Sequence, residues 1–179
     1  MSLESDQKIR EGTEADIPAL IDLFRQEVAY AQQLAGYYEL DPDFDWTAYV
    51  RDKLGRRNQK VFVAESEGQL LGFIYARITG YTPPQPPKSL LKRLLRRSRP
   101  RPGLPLKPFS FGVLDQVFVT PPHRRQRLAI ALASEAMRWL EKRDIQRIEI
   151  GIYTDNLASQ ALYGELGFET YRVLMQKSN

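Results

Sequence analysis

Three arginines stand directly before a long apolar run. Arg124-Arg-Gln-Arg-Leu-Ala129 leads into a segment, Leu128 to Leu140, that is apolar on almost every side. An apolar stretch, Leu114-Asp-Gln-Val-Phe-Val119, precedes the arginines, and Arg147-Ile-Glu-Ile-Gly-Ile-Tyr153 follows the run. Strand, cationic turn, helix, strand is a βαβ unit. The first amides of a helix lack carbonyl partners and its dipole is positive at that end, so this turn is built to hold phosphate. Arg124, Arg125 and Arg127 add charge-assisted donors, and amides from Arg125 to Ala129 can wrap an anion. The plain alternative, a solvated helix start, is disfavoured because cations there oppose the dipole unless an anion is present. Further on, Asn156 and Tyr163 lie seven residues apart. On a helix that is about 700° of turn and about 10 Å of rise, so both face one way. A capping asparagine and a core tyrosine would fit the same spacing.

Composition narrows the chemistry around these residues. The 179-residue chain suits one domain with an ordinary core. No apolar run approaches the roughly 18 residues of a membrane span, and the polar start is no signal peptide, so the expectation is a soluble cytoplasmic protein. There is no cysteine, which excludes disulfides, thiolate metal sites and an acyl-cysteine intermediate. With His123 as the single histidine, a zinc site is not expected either. The net charge of +4 is local. Residues 80–108 hold eight Lys/Arg and no acid, leaving 18 basic against 22 acidic residues elsewhere.

The elements that must position the turn read as follows. Lys8 to Arg10 is a short first strand. Thr13 and Asp16 open a helix, Pro18 fits its first turn, and Ile17, Leu20, Ile21, Phe24 and Val28 carry it to about Leu34. A second helix spans about 46–55. Lys60 to Glu65 is a strand, Glu67-Gly68 a tight turn, and Gln69 to Thr79 the antiparallel return. Phe109 to Val119 resumes the sheet, a helix runs from about Leu128 to Arg143, and Arg147 to Tyr153 is the next strand. A shorter helix opens at Asn156 and ends at Gly167, and Phe168 to Gln176 is expected to supply the final strand or strands.

Two segments stand apart in composition. Residues 36–46 are acidic and aromatic: Asp41, Asp43 and Asp45 with Tyr37, Tyr38, Phe44 and Trp46 could hold a cationic amine, or form a plain helix–helix connection packed on the core. Residues 80–108 hold eight of the twelve prolines around a short amphipathic stretch, Leu90, Leu91, Leu94 and Leu95 opposite Lys92, Arg93, Arg96 and Arg97. The segment reads as a surface loop, a lid, or a docking arm for an anionic partner such as nucleic acid or membrane.

The turn Arg124-Arg-Gln-Arg-Leu-Ala129 resembles the acyl-CoA loop of the Gcn5-related N-acetyltransferase (GNAT) superfamily, Gln/Arg-x-x-Gly-x-Gly/Ala. Asn156-Leu-Ala-Ser, followed by Ala161-Leu-Tyr163 and Leu166-Gly-Phe168, resembles its later signature. The pattern covers residues 114–168, and the order of elements fits nearly the whole chain. The resemblance implies one α/β domain over 1–179, with 80–108 as an insert. Its sheet is mixed, mostly antiparallel, flanked by helices and splayed between the fourth and fifth strands. It implies acetyl-CoA as cofactor and an acetyl transfer to a primary amine by direct attack in a ternary complex. Tyr163 would be the acid at the leaving thiolate and Asn156 would meet the pantetheine amides. The Val117 N–H would face the oxyanion, with main-chain groups of Val117 and Val119 along the pantetheine. Arg124, Arg125, Gln126, Arg127, Leu128 and Ala129 would hold the pyrophosphate.

Asp115 is the candidate base, directly or through water, because family members often carry a carboxylate on this strand; an edge-exposed or ion-paired acid is the alternative. Simple alternation puts it with Val113, Val117 and Val119, unless a bulge intervenes. His123 is placed at the surface. Tyr38, Asp41, Phe44 and Trp46 would border the acceptor, and the insert would open on that side. Arg127 departs from the family, which has glycine there for close backbone approach. It either takes an ordinary helical conformation with its side chain outward, bridges a phosphate, or marks a weakened site. The competing class is therefore a degenerate CoA-binding or adaptor module acting through 80–108. A homodimer stays open.

Overall fold

Four successive side chains, Val61-Phe62-Val63-Ala64, are all buried, as in a strand covered on both faces. That strand is second in a five-stranded sheet. The computed structural model describes residues 6–36, 39–83 and 104–177. Strand β1 (Lys8–Glu11) leads through a 3-10 turn (Glu14–Asp16) into helix α1 (Ile17–Ala35) and helix α2 (Trp46–Gly55). Strands β2 (Gln59–Ser66), β3 (Gln69–Tyr81) and β4 (Phe109–Val119) follow. A second 3-10 turn (Pro121–His123), helix α3 (Leu128–Glu141), strand β5 (Ile148–Ile150) and helix α4 (Leu157–Glu165) complete the order. The strands lie side by side as β1-β2-β3-β4-β5, antiparallel except for the parallel β4–β5 pair.

Helices cover both faces. On one, α3 packs Leu128, Leu132, Ala136 and Leu140 against Ile74, Ala76 and Leu114. On the other, Leu20 and Phe24 of α1 and Val50 of α2 meet Val61, Val63, Phe73 and Phe118. Arg10 holds the β1 end with a bidentate pair to Asp16, both contacts at 2.8 Å, and an Nε bond to Glu65 at 2.5 Å. The guanidinium keeps the Asp16 carboxyl far below the usual carboxylate range.

Two departures from regular pairing shape the functional end. The β3–β4 register slips between Tyr75–Gln116 and Ala76–Leu114, so Asp115 is an extra, bulged residue. Before it Leu114 faces α3; after it Val117 and Val119 face α3, while Phe118 faces α1. Simple alternation therefore fails. Asp115 does not share a face with Val117 and Val119; it joins Gln116 toward α1 and α2, because the bulge shifts every later residue by one. The second departure is the β4–β5 ladder, which spans Gly112–Leu114 against Ile148–Ile150 and then stops. β4 runs on for five residues without β5 beside it, which is the expected splay.

The expected final strand is absent. From Gly167 to Lys177 the chain is in no strand or helix, and Val173, Leu174 and Met175 are exposed. Tyr171 is instead caught from the side, under the Arg147 guanidinium at 4.7 Å. β3 extends two residues beyond expectation, pairing Gly80–Ser110 and Tyr81–Phe109. Most of the basic insert, including its leucine face, lies outside the described residues. No helix among the described residues is long and apolar enough to cross a membrane.

Gly72 sets how closely β3 meets the end of β4. A Cβ there would stand 2.5 Å from the Phe118 carbonyl and 3.1 Å from the Val119 Cα, which are backbone atoms that no rotamer change can clear. Gly72→Ala is expected to destabilise the protein by about 1–3 kcal/mol in urea unfolding. An unchanged midpoint would show that the two strands have room to part.

Candidate active site

Where β4 and β5 separate, β4 has backbone groups with no strand to take them. A strand residue directs its N–H and C=O to the same side, alternating along the chain. The Val119 carbonyl points away from β3, since it accepts from Arg124 Nε at 3.0 Å, whereas the next amide, Thr120 N–H, donates to Leu71 of β3 at 2.9 Å. Val117, two residues earlier, presents its main chain to the same gap. The gap opens into a cleft of about 560 Å³. Its walls are Asp115, Val117 and Val119 of β4, the departing chain at Gly151–Tyr153, and Asn156, Ser159 and Tyr163 around α4. Tyr30 and Leu34 of α1 close the near side, and the arginine turn closes the end.

That turn is a run of unusual backbone. Arg125 and Arg127 both have left-handed dihedrals, φ 63° and 61°. Arg127 is the N-cap of α3, so the amides of Leu128, Ala129 and Ile130 have no helical carbonyl behind them. The ordinary helical conformation expected of Arg127 is not observed. The residue keeps the left-handed shape that glycine supplies without strain, and its side chain bonds Glu165 at the end of α4. Both partners are about half exposed, so the bridge contributes little, while the conformation costs on the order of 1 kcal/mol. The Arg124 guanidinium lies over Tyr30 and Phe118, at 5.3 and 5.6 Å. Gln126 accepts from Gln7 at 3.2 Å, and His123 Nδ1 shares a 2.9 Å hydrogen bond with Thr120.

Asn156 caps α4, its Oδ1 accepting from Ser159 N–H at 3.1 Å. The capping reading holds, and the same residue lines the cleft. Tyr163 is the exceptional group. It is 1% exposed, with its ring edge-on to Phe168 at 5.4 Å, and its hydroxyl is buried with no hydrogen-bond partner. Buried phenols normally find one. Burial also pushes its pKa well above the ordinary tyrosine value, so it remains a donor at any physiological pH. An orphaned donor inside a cleft lined by exposed amides and arginines fits a long anionic ligand with an acceptor atom at its inner end.

The acceptor-side expectations divide. Asp115 Oδ2 accepts from Arg77 Nε at 2.7 Å. Asp41 and Asp45 serve the chain locally: Asp41 accepts from Asp43 N–H and Asp45 caps α2, both at 2.9 Å. Phe44, Trp46 and Tyr49 form an edge-to-face cluster with centroids 5.0–5.9 Å apart. None of Asp41, Phe44 and Trp46 lines the cleft; Tyr38 lies outside the described residues.

Sequence reading missed a second polar cluster on this face. Gln116 donates to Glu27 of α1 at 2.7 Å and accepts from Tyr49 of α2 at 3.1 Å. Burial raises the Glu27 carboxyl above its ordinary value and pushes Tyr49 up to about 12. Beside them Lys53, 8% exposed, sits 3.7 Å from the Tyr75 ring and 4.3 Å from Tyr49, its pKa pulled down to about 8 by burial. The signal available for Glu27 was its spacing from Tyr30 and Leu34, three and seven residues on. No group of His, Cys, Asp and Glu among the described residues could hold a metal.

The model of the acetyltransferase (GNAT) family matches residues 18–168. No curated protein sequence matches significantly. Among solved structures, a mutant of the BH1408 protein from Bacillus halodurans superposes with a TM-score of 0.74 at 14% identity, over 96% of this chain and 99% of that one. AAC(6')-Iy in complex with the bisubstrate analog CoA-S-monomethyl-acetylneamine gives 0.66 at 20%, over 98% and 99%. A protein described as a predicted acetyltransferase, with acetyl-CoA, from Clostridium acetobutylicum gives 0.65 at 14%, over 96% of each chain. At these identities the likeness establishes the fold.

If the Tyr163 hydroxyl serves a ligand and not the core, removing it relieves the empty protein of an unpaired buried donor. Tyr163→Phe is expected to raise the unfolding free energy by about 1 kcal/mol without ligand. A loss of stability by thermal and urea melts would assign the hydroxyl a structural partner.

Proposed function

The chain belongs to the acetyltransferase (GNAT) family, and from that premise we propose that it is an acetyl-CoA-dependent N-acetyltransferase that acts on a primary amine by direct attack in a ternary complex. The observation that carries this is the unpartnered Tyr163 hydroxyl at the inner end of a cleft whose wall is unpaired β4 backbone. Structural neighbours that hold acetyl-CoA or a CoA bisubstrate analog support the choice of cofactor.

Acetyl-CoA, when bound, supplies a thioester whose C–S bond is exchanged for C–N. The chain's contribution divides along the cleft. Arg124, Arg125 and the amides of Arg127, Leu128 and Ala129 hold the diphosphate, with Gln126 turned toward Gln7 in support. Arg127 contributes its backbone amide to this turn, while its side chain reaches Glu165 of α4. Main-chain groups of Val117 and Val119 and the Asn156 side chain orient the pantetheine arm. Val117 N–H faces the acyl oxygen as negative charge develops there. Tyr163 donates to the sulfur. With its pKa raised by burial, it holds its proton and stabilises the leaving thiolate by hydrogen bonding, without transferring the proton outright. Asp115 is already engaged by Arg77, so in this reading it draws the ammonium toward the bulge and touches its proton only through water. Asp41, Phe44 and Trp46 lie outside the cleft lining and are assigned at most to the outer approach of the acceptor. Arg127 was the motive for a degenerate adaptor, and its glycine-like backbone weakens that motive.

An amine-panel assay of thiol release from acetyl-CoA tests the proposal, and a chain that releases no thiol with any amine would refute it. Tyr163→Phe is expected to lower kcat by about tenfold or more while leaving CoA affinity unchanged. Arg124→Ala with Arg125→Ala is expected to weaken CoA binding by about tenfold or more in calorimetry. Equal affinity would remove the turn from the phosphate site.

A further inference from the structure

Tyr30 and Leu34 are the α1 residues that line the cleft. One turn nearer the start of that helix, on the same face, Glu27 points at the β4 bulge, and it meets Gln116, the residue directly after the bulged Asp115. We propose that Glu27 takes the proton from the acceptor ammonium and that Gln116 is the residue that positions it. This rests on the N-acetyltransferase reading above.

Three observations favour Glu27 over its neighbours. Gln116 bridges two elements: its carbonyl oxygen accepts the Tyr49 hydroxyl at 3.1 Å and its NH₂ donates to Glu27 at 2.7 Å. The carboxylate is therefore aimed by a three-residue chain rooted in α2, β4 and α1. Asp115, the other carboxylate here, is occupied by a guanidinium at 2.7 Å; among the described residues no lysine or arginine is in ion-pair contact with Glu27. The nearby cation, Lys53, lies over the Tyr75 and Tyr49 rings and makes no salt bridge to Glu27, acting on it only through its charge. A carboxylate fixed by a neutral donor, half-buried, beside a second negative charge, is a stronger base than one locked in a salt bridge.

The step balances simply. An N–H bond of the ammonium breaks, an O–H bond forms on Glu27, and the neutral amine keeps the electron pair that makes the C–N bond. Glu27 then returns its proton to water. The nitrogen's second proton, released as the amide forms, ends on the thiolate.

The groups facing Glu27 are Gln116 and Asp115 from β4 and Lys53 and Tyr49 from α2. Burial and the Asp115 charge favour the protonated form; the Gln116 hydrogen bond and the Lys53 charge favour the ionised one. Removing the Gln116 donor therefore raises the Glu27 pKa. The base ionises later, and the acid limb of the kcat/KM–pH profile moves to higher pH.

The test compares wild type, Glu27→Gln, Gln116→Ala and Asp115→Asn, with an alkylamine acceptor across pH and with calorimetry for CoA. Glu27→Gln is expected to lower kcat/KM by about 100-fold or more, with CoA affinity unchanged. Its loss should shrink with an acceptor amine of low pKa, which is already neutral and needs no base. Gln116→Ala should shift the acid limb upward, and it decides the matter alone if Glu27→Gln does not fold. If Glu27→Gln stays within about twofold of wild type, or if the limb stays put in Gln116→Ala and disappears in Asp115→Asn, Glu27 is not the base while the acetyltransferase reading stands. A wild type that acetylates no amine removes both.

Discussion

The structure turns on a ladder that stops early. β4 and β5 share three residue pairs and then diverge, leaving Val117 and Val119 with main-chain groups aimed at a gap. Buried backbone polar groups must be paired, because leaving one bare costs as much as a lost hydrogen bond. A sheet that opens inside its own core therefore makes a place for something that offers amides or carbonyls of its own. The two helices that follow complete it. α3 brings its unpaired amides to one end of the gap and α4 brings Tyr163 toward the inner wall. Gly72 allows β3 to support the unpaired half of β4 at contact distance.

The bulge at Asp115 does for the other face what the splay does for this one. Without it, Asp115 and Gln116 would point to opposite faces and the later strand would bury the wrong set. With it, two consecutive polar side chains reach α1 and α2, while Val117 and Val119 return to the α3 side. One inserted residue thus separates the wall of the acyl cleft from a polar cluster next to it. Arg77, Glu27, Tyr49 and Lys53 are the groups that keep this second face from being a bare row of buried charges.

Much of this was legible from patterns of apolar residues. The bounds of α2 and β4 read to the residue, since Trp46–Gly55 and Phe109–Val119 are each closed by their own turn chemistry or charge. α1 and α3 followed from spacing. What failed were features set by tertiary partners. The last segment, Phe168 to Gln176, has strand composition but no ladder, because composition cannot say whether an edge will accept it. Glu27 looks like any polar residue on an amphipathic helix; only the position of Gln116, itself moved by a bulge, sets it apart. Arg127 failed for a related reason. Side-chain type argues against a left-handed residue, and the turn between β4 and α3 imposes it regardless.

The two ends of the cleft differ in how their polar groups are satisfied. At the arginine end two guanidinium groups already have partners: Arg124 serves the Val119 carbonyl and two aromatic rings, and Arg127 serves Glu165. A ligand arriving there exchanges existing bonds for new ones, and the net gain of such an exchange is small. At the inner end the Tyr163 hydroxyl has nothing to exchange. A bond made to it recovers a desolvation cost already incurred in folding. Contacts at the arginine end can bring a ligand in and hold it, whereas a bond to the Tyr163 hydroxyl satisfies a donor that folding left bare.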